Sequence, residues 1–284
     1  MFKSILHPPA AGDAAVGKYQ VKELTVFRRL LTESLDAIPP SHSMMALLEI
    51  DITEPRKTLA NLKESGHHAS LFAFVVKSIA TALTEHRELN SMRSGNRVIE
   101  FEDIDINVPV ELDSSGEKTP RQVVIRNAAC KSVEEIWEEI HAAKERFQTA
   151  GNTGEEDQWA LSTMQRLFIL PKFLLAILVR TLQGNPFNVK RMSGTTFVTS
   201  VTMPGISGFA VPYIIGPRAV SFALGSVVKK PAVVDQEIMS REILSMTVVF
   251  NHDIVDGAPA ARFARRLKEL LEGGAVLTRP ASGA

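Results

Sequence analysis

The segment Asn251-His252-Asp253-Ile254-Val255-Asp256-Gly257 brings together side chains suited to proton transfer. An imidazole can take and give a proton near neutral pH without a large shift in its pKa. Asp256 follows His252 by four residues, and Gly257 comes next. The spacing His-x-x-x-Asp-Gly fixes only three positions, so chance produces it in roughly one chain in thirty of this length. Its surroundings give it weight. Thr247 to Phe250 is a β-branched and aromatic run that predicts a buried strand. Ala260, Phe263, Ala264, Leu267 and Leu271 recur at helical spacing on the other side. A strand end is rigid and a loop is accessible. Gly257 is expected to let the chain turn into a helix whose N-terminus favours the Asp256 charge. Without that context, a histidine at a strand end reads as a hydrogen-bonded structural residue.

The remaining candidates are weaker. His67-His68 lacks the carboxylate or thiolate spacing of a metal site and reads as loop, so no metal is expected. The single Cys130 excludes an internal disulfide framework and a cysteine-cluster metal centre, and it fits a reducing, cytoplasmic setting. Lys+Arg and Asp+Glu balance at 32 each, so neither nucleic-acid binding nor an acidic solvating tail is indicated. The 284 residues can form one large domain or two small ones. No signal or transit peptide is evident at Met1. Leu167 to Val179 is the most apolar stretch, but Pro171 and Lys172 interrupt it and it is too short to cross a bilayer. It reads as a buried or subunit-contact helix, with a membrane-surface helix as the alternative.

Several elements must position the motif. Residues 1–20 have little periodicity and read as a flexible arm. Leu24, Phe27, Leu30, Leu31 and Leu35 mark an amphipathic helix that Pro39-Pro40 stops. Met44 to Ile52 predicts a strand, and Pro55 to Ser65 a polar helix. Leu71 to Leu83 is apolar nearly all round and predicts a buried helix. Strands are expected at 97–101, 104–111 and 121–126, with a turn over Asp113-Ser-Ser-Gly116. A helix follows from Ser132 to Phe147, with Ser132 and Glu135 as its capping box. Further strands are expected at 195–201, 219–225, 230–234 and 242–250. The irregular interleaving, with no Gly-rich phosphate loop, predicts one mixed-sheet α/β domain over residues 21–274 and a C-terminal tail at 275–284.

Thr247 to Glu272 resembles the C-terminal signature of the acyltransferase component of 2-oxoacid dehydrogenase complexes, shared in part with chloramphenicol acetyltransferases. The likeness runs through about 250 residues. It includes Thr32-Glu-Ser34 with Ile38-Pro39, Leu71 to Leu83 with Glu88-Leu-Asn90, Val123 to Ala128, Gly194 to Ser200, and Ala223-Leu-Gly225. The resemblance implies a chloramphenicol-acetyltransferase-like α/β fold, a mixed β-sheet with flanking helices, and a homotrimer with its active site at the subunit interface. It also implies coenzyme A as a substrate and transfer without a covalent acyl-enzyme. By position, His252 matches the base and Asp256-Gly257 the supporting pair. Ser200 matches the hydroxyl that stabilises the oxyanion, with Thr199 and Thr202 as rivals. His42 falls where the family lines its substrate channel. Asp256 is assigned to structure, through a buried ion pair with Lys22, Arg28 or Arg29.

Two departures matter. The family usually has Asp-His-Arg where this chain has Asn251-His252-Asp253, which places a carboxylate beside the base and would favour protonated histidine. The N-terminal arm is too short for a lipoyl or subunit-binding domain, so a lipoyl carrier is expected on another polypeptide. The expected activity is acyl transfer between coenzyme A and a dihydrolipoamide-type thiol. The alternatives are acetylation of a small hydroxyl or amine compound, or a catalytically silent trimeric scaffold for dehydrogenase subunits. Whether trimers build a larger cage is open, and the weakly apolar tail favours a free trimer.

Overall fold

The computed structural model of the chain describes residues 19–21, 23–25, 28, 32, 35–36, 41–114, 117–153, 172–201, 207–211 and 216–277. The strands are β1 (Ser43–Asp51), β2 (Ser91–Ser94), β3 (Arg97–Glu100), β4 (Ile106–Ser114), β5 (Glu117–Ile125), β6 (Thr196–Ser200), β7 (Val220–Val234) and β8 (Glu237–Asn251). The helices are α1 (Thr53–Glu64), α2 (Leu71–Glu85), α3 (Val133–Thr153), α4 (Lys172–Gly184), α5 (Pro186–Ser193) and α6 (Gly257–Gly273). Six strands form one sheet in the order β1-β8-β7-β6-β4-β5, and β2 and β3 form a separate hairpin. β6 runs parallel to β4 and β7, and the other pairs are antiparallel, so the sheet is mixed as predicted.

Alternation along the strands gives the sheet one strongly apolar face. Ile50, Val108, Val198, Phe222, Leu224, Met246, Val248 and Phe250 are buried in a core shared with α2 and α6. α2 is buried nearly all round, as its composition predicts, and its one buried hydroxyl (Ser78) bonds the Phe74 carbonyl. Ser70 caps it by accepting from the Ala73 N–H at 3.1 Å. α6 turns Ala260, Phe263, Ala264, Leu267, Leu270 and Leu271 inward. Phe263 is fully buried and meets the rings of His86, Phe222 and Phe250. The other face of the sheet centre carries the small or polar Ser221, Ala223, Ser245 and Thr247, also buried. On that same face, Met45 and Leu47 of edge strand β1 are 55% and 54% exposed.

Local signals account for most element ends. The Ser132 hydroxyl accepts from the Glu135 N–H while Glu135 accepts from the Ser132 N–H, completing the capping box of α3. The stretches 219–225 and 230–234, expected to be separate strands, are one strand, β7, with a bulge between Leu224 and Val227. It returns through a two-residue turn, Asp235-Gln236, with φ of 48° and 69°. That is type I′ geometry without its usual glycine, so the sequence gives little sign of the hairpin or of β8 starting as early as Glu237. The apolar stretch around Leu174 is also not buried within the chain, since Leu174, Ile177, Leu178 and Leu182 of α4 are exposed. Its first residues, 167–171, lie outside the described set, as do most of the expected N-terminal helix and Ser115 and Gly116 of the expected turn at 113–116. Core packing reaches Val276, two residues past the predicted domain end. Among the described residues no helix is long and apolar enough to cross a membrane.

Candidate active site

β8 delivers His252 to the surface on a turn braced through its backbone. The buried Asn251 donates its N–H to the Ala219 carbonyl at 2.8 Å. Its own carbonyl accepts from the N–H groups of Ile254 and Val255 at 3.0 Å. The His252 N–H donates to the His42 carbonyl at 2.7 Å, tying the turn to the segment ahead of β1. The imidazole itself is about half exposed, with 47% of its side chain accessible. A proton-transfer group needs this arrangement, with a fixed backbone and an accessible ring.

Asp256 stands at the N-cap of α6 in extended conformation, and its side chain makes no capping hydrogen bond. Its carboxylate lies 3.9 Å from His252 Nδ1, close enough for electrostatic attraction but too long for a hydrogen bond. The side chain is 89% exposed, so within one chain it is not the buried ion-paired group that the resemblance implies. Of the three candidate partners, Arg28 is exposed, and Lys22 and Arg29 lie outside the described residues. Gly257 opens α6 without a positive φ, and a Cβ there would meet nothing within 4 Å. The turn therefore does not require a glycine, contrary to the sequence expectation.

Asp253 directs its carboxylate to two other partners. One oxygen is 2.8 Å from His42 Nδ1, and the other accepts from the Arg93 guanidinium at 2.9 Å. The His42 hydrogen bond holds the Asp253 carboxyl below the usual carboxylate range. Partial burial opposes this, and the charges of His42 and Arg93 reinforce it. The added negative charge thus faces the Arg93 guanidinium. His42, expected to contact substrate, is exposed and serves as one of these partners. Arg93 had no sequence signal, because it lies in the short strand β2, 160 residues from Asp253.

Ser200 ends β6 and is exposed. Its register partner is Leu224, whose own partner on β8 is Met246. His252 lies six residues beyond Met246 and two strands across. At about 3.3 Å per residue and 4.8 Å per strand, the two side chains are on the order of 20 Å apart within one chain. Thr199 is half-buried and takes the opposite face, in register with Ala223, and Thr202 lies outside the described residues. His252 and Asp256 are therefore together in one chain, and Ser200 and Thr199 are not near them.

Two other features lie elsewhere. His67 sits 3.5 Å from Glu134, and His68 stacks on Trp137 at 4.5 Å. Among the described residues no group of three or more His, Cys, Asp or Glu could hold a metal ion. A cavity of about 450 Å³ lined by Arg56, Leu59, Lys63, Leu71 and Val227 lies beside α1. Val227 pairs with Leu244, which puts the cavity about 25 Å along β8 from His252.

The family model of the 2-oxoacid dehydrogenases acyltransferase (catalytic domain) matches residues 17–158 and 174–278. The chain is 26% identical over 269 residues to the lipoamide acyltransferase component of the branched-chain alpha-keto acid dehydrogenase complex of Bacillus subtilis. That alignment covers 93% of this chain and 53% of the relative. It is 27% identical over 254 residues to the dihydrolipoyllysine-residue acetyltransferase component of the pyruvate dehydrogenase complex of Zymomonas mobilis, covering 87% and 48%. The chain thus spans about half the length of these relatives. Among solved structures, the fold is similar to the dihydrolipoamide acetyltransferase of Azotobacter vinelandii, with a TM-score of 0.69 at 18% identity over 95% of this chain and 98% of that one.

Proposed function

Because the chain belongs to the 2-oxoacid dehydrogenases acyltransferase (catalytic domain) family, we propose that it transfers an acyl group between coenzyme A and the thiol of a dihydrolipoamide-type carrier. His252 is the general base. A thiol near its ordinary pKa is mostly protonated at pH 7, and the imidazole removes that proton as the sulfur attacks the thioester carbonyl. The Ser200 hydroxyl donates to the oxyanion of the tetrahedral intermediate. Collapse breaks the original carbon–sulfur bond, and the proton held by His252 passes to the departing thiolate. Asp256, with its carboxylate 3.9 Å from His252 Nδ1, is the supporting residue beside the base.

The observation that carries this reading is an accessible His252 on a turn fixed by backbone hydrogen bonds, in a chain matched by the family model over most of its length. The study of the Azotobacter structure concerns a serine, a histidine and an asparagine in that enzyme's catalytic mechanism. There the serine precedes the histidine by 52 residues and the asparagine follows it by four. Ser200 and Asp256 stand at those same intervals from His252, which supports Ser200 over Thr199.

A separation of about 20 Å means that a site using both His252 and Ser200 must take them from different copies of the chain. A closed homotrimer supplies this arrangement three times, and the exposed Met45 and Leu47 offer apolar surface for such a contact. The lipoyl carrier and dehydrogenase subunits are the partners of this reading. The acyl group is left open, since the two relatives belong to branched-chain and pyruvate complexes. The test is transfer from acetyl-CoA to dihydrolipoamide, with His252→Ala beside the unaltered protein. A loss of about 10²- to 10⁴-fold in kcat is expected. An unchanged rate would remove His252 from the mechanism.

A further inference from the structure

Both carboxylate oxygens of Asp253 are committed, each to a different part of the fold. Oδ2 accepts from Arg93, which is itself fixed because its Nε donates to the Gly95 carbonyl at 2.9 Å and its backbone N–H to the Pro217 carbonyl at 2.8 Å. Oδ1 meets His42 Nδ1, on the same residue whose carbonyl receives the His252 N–H. His42 thus grips the turn twice, by backbone at His252 and by side chain at Asp253. On the inner side, the Asp253 N–H donates to the Asn251 carboxamide oxygen at 3.0 Å. His252 therefore sits between a residue anchored in the sheet and a residue anchored to β2 and to the segment ahead of β1.

We propose that Asp253 is a positioning residue, a clamp that joins the turn bearing His252 to Arg93 and His42 and so fixes the direction in which the imidazole points. Displacing a catalytic group by about 1 Å costs on the order of 100-fold in rate. A turn with one exposed side needs such a restraint, because the His252 ring makes no hydrogen bond of its own to Asp256 at 3.9 Å. The clamp acts through His252 and touches no substrate. The kinetic part of the proposal rests on the acyltransferase reading, and the structural part does not.

Two measurements on the full chain test it. Hydrogen–deuterium exchange of the peptide containing residues 251–257 should quicken at least about tenfold in Asp253→Ala, since both side-chain anchors of the turn are lost together. In acyl transfer from acetyl-CoA to dihydrolipoamide, Asp253→Ala should lose about 10- to 100-fold in kcat, with KM for both substrates within about threefold. Asp253→Asn keeps an acceptor for Arg93 and should recover most of that loss. Arg93→Ala with His42→Ala, which leaves Asp253 in place, should reproduce the defect and serves if Asp253→Ala fails to fold. Unchanged exchange in Asp253→Ala and in the double variant would overturn the proposal, as would a KM defect with intact kcat. If the unaltered protein transfers no acyl group, the acyltransferase reading fails, and the exchange measurement alone decides whether the clamp exists.

Discussion

Subunit mixing offers the sharpest check on where the site lies. His252→Ala and Ser200→Ala each remove one member of the proposed site. Loss of a single oxyanion donor costs about 10²- to 10³-fold in kcat, and loss of the base a similar amount or more. Within one chain the two residues are separated by six residue steps along β8 and by two strand spacings, about 20 Å in all. No rotamer change closes that gap, so on the proposed reading each site takes its histidine from one copy and its serine from the next. If the two inactive variants are mixed in equal amounts and their subunits exchanged by partial denaturation and refolding, half the histidine positions and half the serine positions are intact. Random assembly into closed rings then restores about one quarter of the sites. The assay is acetyl transfer from acetyl-CoA to dihydrolipoamide, with native mass spectrometry to confirm mixed rings. A rate near one quarter of the unaltered protein's is expected. Mixed rings with no more activity than either parent would refute the shared site, and a full-activity monomer in sedimentation would refute it equally.

Three further outcomes follow from the packing and the charges. Phe263→Ala empties a fully buried position among Phe222, Phe250 and His86. It should cost about 3–5 kcal/mol in a urea titration, and a cost below about 1 kcal/mol would mean that this core is not close-packed. Gly194, with φ of 66°, ends α5 just before β6, and a Cβ there would lie 2.5 Å from the Asp105 carbonyl oxygen. Gly194→Ala should therefore lower stability by roughly 1–3 kcal/mol in the same titration and disturb the strand that carries Ser200. The Asp253 carboxyl is held below its ordinary value in the folded chain, so its stabilisation is complete above an unfolded pKa of about 4 and disappears as pH falls through the lower folded value. Thermal melts of the unaltered protein and Asp253→Asn should differ at neutral pH and converge in strong acid. A gap that instead widened as pH fell would contradict the assigned sign.

The sequence carried whatever depends on local periodicity and on near neighbours. The apolar circumference of α2 follows from Leu71 to Leu83, the start of α3 from Ser132 and Glu135, and the strand–turn–helix around His252 from a β-branched run followed by helical spacing. The mixed sheet was legible from the irregular interleaving of strands and helices, and the family from the resemblance of segments matched in order along the chain.

Tertiary structure alone decided which distant residues meet. Asp253 looked like a charge beside the base, and the fold points it instead at Arg93 and His42, because β2 and the segment ahead of β1 converge on the end of β8. Ser200 and His252 are expected to meet at a subunit interface, and only strand register shows that they lie on the order of 20 Å apart in one chain. The Asp235-Gln236 hairpin escaped notice because its positive φ values fall on residues other than glycine. Periodicity shows which face of an element is buried. Sheet order and register determine what that element is set beside, and they depend on pairings between strands far apart in the chain.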